Sequence, residues 1–141
     1  MFNVEERERK ARTMIAVLQQ HFGQGLGDMS VLNVGGSAGI IDNYLAQHFG
    51  SVTGIDIDEK AITHAQDNYR RDNLTFEVGD AMQLRFADDS FDVVVCSQVY
   101  EHVPDSGVMM KEIYRVLKAG GVCYFAAGNR LMWNEPHYNL P

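Results

Sequence analysis

With 141 residues, 45% of them apolar and 22% charged, the chain has the make-up of an ordinary globule, large enough to bury one core. Nineteen acidic against twelve basic residues give a net charge of −7, which disfavours a nucleic-acid backbone as partner. There is no apolar run of membrane-spanning length and no secretory leader pattern, so the expectation is a cytoplasmic protein without a membrane association.

Ala11, Met14, Ile15, Leu18 and Phe22 recur at helical spacing and predict a helix over Val4–Phe22, closed by the glycine-rich loop Gly23–Gly27. Ser30–Val34 reads as a strand apolar on both faces, as a central parallel strand is. A helix over Gly39–Phe49 follows, burying Ile40, Ile41, Tyr44, Leu45 and Phe49 and stopped by Gly50. Val52–Ile57 is a second strand, and Asp58 caps a helix carrying Ala61, Ile62, Ala65 and Tyr69 on one face.

Leu74–Val78 and the β-branched Phe91–Cys96 predict the third and fourth strands. Pro104–Lys118 is read as a helix ended by Gly120-Gly121, and Val122–Ala127 as the fifth strand. Residues 1–29 then form an N-terminal helix and loop, 30–127 the core of a single domain, and 128–141 an irregular tail. Alternating strands and helices imply an α/β, doubly wound, Rossmann-like parallel sheet with helices on both faces. Cys96 and Cys123 fall in apolar strands and are expected as buried, reduced thiols, and the histidine and cysteine spacings suggest no metal site.

Ligands of such sheets bind beyond the carboxyl ends of the strands. Four strand ends supply candidates here: Gly35, Gly36, Ser37 and Gly39; Asp56 and Ile57; Asp80, Ala81 and Met82; and Ser97, leading on to His102. A tight small-residue turn lets a ligand approach the backbone, and an acid at the next strand end can accept from ribose hydroxyls. Asp80 could accept from a base amino group, with Ile57 and Met82 offering apolar faces to the ring. Each feature also has a plainer reading, since Asp56 could be a surface acid, Gly79-Asp80 simple turn chemistry and His102 a packed side chain.

The combination resembles a class I S-adenosylmethionine-dependent methyltransferase of the group acting on small molecules and lipids. The resemblance rests on Asn33-Val34-Gly35-Gly36-Ser37-Ala38-Gly39, Asp56, Gly79-Asp80-Ala81, Phe91-Asp92-Val93-Val94, Val99–Val103 and Glu112–Gly121. It implies S-adenosyl-L-methionine as cofactor, S-adenosyl-L-homocysteine as product, a small-molecule acceptor and His102 as the candidate general base. It also implies the strand order 3-2-1-4-5.

Three departures stand out. Asn33 replaces the family's acid, Ser37 replaces a glycine, and the family's terminal antiparallel hairpin is expected to be lacking, as in a truncated chain. An uncovered fifth strand would invite pairing with a second copy, so a homodimer through that edge is expected. Two other readings stay open: a cofactor-binding or inactive fragment acting through protein association, and a NAD-type oxidoreductase.

Overall fold

The computed structural model describes residues 4–35, 39–97, 104–126 and 130–133. Its helices are α1 (Val4–Phe22), α2 (Ile40–Leu45), α3 (Glu59–Asn68) and α4 (Ser106–Val116). Its strands are β1 (Ser30–Val34), β2 (Ser51–Asp56), β3 (Leu74–Val78), β4 (Phe91–Cys96), β5 (Leu117–Phe125) and β6 (Arg130–Trp133). They form one sheet in the order β3-β2-β1-β4-β5-β6, parallel except for β6.

Strand pleating divides the core. Val31, Val52, Val93, Val95, Val122 and Tyr124 point to one face, where Met14, Ile15 and Leu18 of α1 and Ile41 and Leu45 of α2 cover them. The alternate residues Leu32, Val34, Val94, Cys96, Cys123 and Phe125 face Met109, Ile113 and Val116 of α4. Ile62 and Ala65 of α3 pack on Phe76 of β3. Asp58 caps α3 by accepting from the Lys60 N–H at 3.0 Å, as the sequence suggests.

The expected order of the first five strands is observed, but the expected lack of an edge hairpin is not. β6 runs antiparallel to β5, pairing Val122 with Trp133, Cys123 with Met132, Tyr124 with Leu131 and Phe125 with Arg130. The tail is therefore not wholly irregular, and the edge of β5 that motivated the homodimer is already paired within the chain. Four residues carry too little periodicity to announce a strand; the register comes from β5. The expected helix over Pro104–Lys118 is also shorter, because Leu117 leaves it to pair with Phe91. A register shift follows, since the next pair is Val93 with Val122.

Candidate functional site

The carboxyl ends of β1, β2 and β3 lie side by side. The Gly35 N–H donates to the Ile55 carbonyl at 2.9 Å, and the Gly79 N–H to the Asp56 carbonyl at 3.0 Å. Gly35 and Gly39, Asp56 and Ile57, and Asp80 to Met82 therefore emerge along one edge of the sheet. Gly36, Ser37 and His102 lie outside the described residues.

Gly39 is a position that only glycine fits. Its φ is +94°, and a Cβ there would stand 2.6 Å from Tyr69 Cδ2 and 3.0 Å from Ala65 Cβ of α3. Gly39 thus lies tightly against the helix after β2. Gly35, Gly39 and Asp56 line a narrow cleft there, together with Asp42 and Gly54.

At the carboxyl ends of β2 and β3 opens a cavity of about 400 Å³, lined by the apolar Ile55, Ile57, Val78, Leu84 and Phe86 and by the polar Glu77, Asp80, Gln83 and Arg85. That volume lies in the range of small-ligand pockets. At its mouth Ile57 is 74% and Val78 53% exposed, well beyond what apolar strand-end residues need. An aromatic base lying on them would remove that surface from water, so these residues fit the nucleoside part of the implied cofactor. Asp56 Oδ1 accepts from the Asp58 N–H at 2.8 Å, and Asp80 Oδ1 from the Met82 N–H at 2.9 Å. Each loop acid is thereby fixed in orientation by its own backbone. Ala81 is buried, packed in the core under α4, with Met82 half-buried against it.

Ser97 takes a different place. Its hydroxyl donates to Asn33 Oδ1 at 2.7 Å, and Asn33 Nδ2 donates to Asp42 Oδ1 at 2.7 Å. Ser97, Asn33 and Asp42 are 7%, 1% and 4% exposed, so the three form a buried polar chain beneath the glycine turn. Asp42 was not singled out from the sequence. Its signal is an acid directly after Ile40-Ile41, on the helix turn that the apolar pattern marks as buried.

The loop between β3 and β4 is held from α4. Arg115 donates to the Leu84 and Phe86 carbonyls, each at 2.8 Å, and Glu112 accepts from the Leu84 N–H at 2.8 Å. The hydrogen bond from Arg115 holds the Glu112 carboxyl below its usual pKa, with the Leu84 N–H adding to it and burial opposing. Among the described residues no group of histidine, cysteine and acid side chains is arranged to hold a metal ion, and no helix is long and apolar enough to cross a membrane.

Strand order, glycine turn and strand-end acids together define a class I methyltransferase fold. The chain belongs to the methyltransferase domain family, whose pattern it matches over residues 32–125. It is 34% identical over 109 residues to a ubiquinone biosynthesis O-methyltransferase of Pseudomonas fluorescens, an alignment covering 75% of this chain and 47% of the relative. The chain thus spans about half the length of the curated relatives it matches. Among solved structures, it superposes with a TM-score of 0.72 and 27% identity on a chain of the complex between the Haloferax volcanii Trm112 methyltransferase activator and a methyltransferase, covering 86% of this chain and 54% of that one. The [4+2]-cyclase SpnF gives a TM-score of 0.72 at 25% identity, covering 82% and 44%.

Proposed function

We propose that this chain binds S-adenosylmethionine and directs its methyl group to an oxygen of a small-molecule acceptor. The observation that carries the reading is that Gly35, Asp56 and a cavity of mixed apolar and polar lining after β2 and β3 all lie at the carboxyl edge of the sheet. Gly35 and Gly39 allow close approach of the amino-acid end of the cofactor. Asp56 accepts from the ribose hydroxyls, Ile57 covers one face of the base, and Asp80 accepts from its amino group. When bound, the cofactor supplies a methyl group already activated on a sulfonium. The protein's part is to bind, orient and exclude water.

The oxygen acceptor is inferred from relatives named as ubiquinone biosynthesis O-methyltransferases. A hydroxyl acceptor must lose its proton, and His102 is the proposed residue to take it.

A second reading is cofactor binding without methyl transfer. The similarity to a protein described as a [4+2]-cyclase favours keeping it, because the fold serves more than one chemistry. Calorimetric titration with S-adenosylmethionine, S-adenosylhomocysteine and NAD tests the binding, and labelled-methyl transfer to a small catechol separates the two readings. Asp56→Ala should weaken binding of both sulfur-containing ligands about tenfold or more, through loss of a charge-assisted contact. Unchanged affinity in that variant, or preference for NAD, would sink the reading.

A further inference from the structure

The buried chain under the glycine turn contains one acid where burial of an acid is costly. Asp42 is 4% exposed, yet it borders the cleft formed by Gly35, Gly39 and Asp56. The sheet is shaped to receive it. A Cβ on Gly54 would stand 2.9 Å from Asp42 Oδ1 and 3.1 Å from Phe76 Cδ1, so the carboxyl occupies space that any other residue at 54 would fill.

Gly54 is also the register partner of Asn33, whose amide donates to the same Asp42 oxygen at 2.7 Å. The Asn33 amide has only one workable orientation, because a carboxylate can only accept and so takes the NH2 group, which leaves the amide oxygen to accept the Ser97 hydroxyl at 2.7 Å. An acid at position 33 would bring two carboxyl oxygens to that same close separation, where both cannot easily be ionised. The arrangement accommodates one acid, and it stands at 42.

Building on the proposed function, we infer that Asp42 is the counter-charge for the cationic amino-acid end of S-adenosylmethionine, with Asn33 and Ser97 as the residues that hold it in position. Asn33 on this view is not a defect in the turn. It is the donor that a carboxyl arriving from α2 requires.

The test compares two ligands that share the nucleoside but differ at the end in question. S-adenosylhomocysteine carries the ammonium; 5′-methylthioadenosine lacks the whole amino-acid group. Asp42→Asn keeps shape and removes charge, and should weaken S-adenosylhomocysteine about tenfold while changing methylthioadenosine by less than about twofold. Asn33→Asp alone should weaken S-adenosylhomocysteine, and the exchanged pair Asn33→Asp with Asp42→Asn should return to within about threefold of the unmodified chain. Thermal unfolding of each variant confirms that the folded protein is being titrated, and the exchanged pair supplies the decision if Asp42→Asn alone is poorly folded.

Equal loss for both ligands in Asp42→Asn would reduce Asp42 to a structural role and overturn the assignment. Tighter binding by Asn33→Asp alone would overturn it too, since that is how a site merely lacking an acid behaves. If the unmodified chain binds neither ligand, the functional reading falls and this assignment falls with it. Binding by the unmodified chain with no discrimination in Asp42→Asn removes this assignment alone.

Discussion

Arg115 Nη2 donates to the Leu84 carbonyl at 2.8 Å while its neighbour Glu112 accepts the Leu84 N–H at the same distance, so one residue of the β3–β4 loop is gripped at both backbone polar groups. Leu84 and Phe86, the residues held this way, line part of the cavity at the ends of β2 and β3. Arg115 also pairs with Asp88 at 2.8 Å and with Glu112 at 3.0 Å. The Asp88 carboxylate is largely exposed, so the carbonyl contacts matter more than that ion pair.

Arg115→Ala should therefore cost about 2–3 kcal/mol of stability, as expected when charged hydrogen bonds to half-buried carbonyls are lost. It should also loosen the cavity wall and weaken nucleoside binding. Denaturant unfolding and titration with methylthioadenosine measure the two effects. Arg115→Lys should recover little of either, because a single ammonium cannot reach both carbonyls and Glu112 in the same planar arrangement.

The depressed Glu112 pKa sets the direction of a pH effect. Its ionised form is favoured in the folded protein over the unfolded chain, so its contribution is fully present above the ordinary carboxylate range. That contribution disappears as pH falls through the lowered folded value. Unfolding free energy measured from neutral to acid pH should fall less steeply in Glu112→Gln than in the unmodified chain. Parallel curves would contradict this.

Gly39→Ala combines a positive φ with a Cβ 2.6 Å from Tyr69 Cδ2. Backbone strain contributes about 1 kcal/mol or more, and displacing Tyr69 adds to it. A loss of about 2 kcal/mol or more is expected, together with weaker cofactor binding. A thermal melt beside calorimetry checks both.

Cys96 and Cys123 lie with their sulfurs 3.8 Å apart, both buried. Contact with Cys96 and burial raise the Cys123 pKa well above that of a free thiol, so little reactive thiolate forms. Neither cysteine should react with an aromatic disulfide reagent in the native protein at neutral pH, and both should react at once in denaturant. Rapid labelling of the native protein would show that the sheet opens there.

Pairing of Tyr124 with Leu131 places Leu131 against the core beside α1 and α2. Leu131→Asp should detach β6 and expose the apolar edge Val122–Phe125, with stability falling and concentration-dependent association appearing in sedimentation. Unchanged behaviour would mean that β6 contributes nothing to protecting that edge.

Much of this was legible in the residues alone. The parallel strands declare themselves because both their faces are buried, so Val93–Cys96 reads as a continuous apolar run and Val31–Val34 as one broken only by Asn33. The glycine turn and Asp56 declare themselves because close approach and a strand-end acid need particular residue types at local spacing. Only the tertiary structure decided the rest. β6 exists because β5 offers it a ladder, and Leu117 left its helix because Phe91 was there to pair with it. The Ser97–Asn33–Asp42 chain joins residues as much as 64 positions apart, through hydrogen bonds whose existence depends on β1, β4 and α2 meeting. Local propensity and periodicity act over a few residues, whereas a buried acid is stabilised by whatever the fold brings to it.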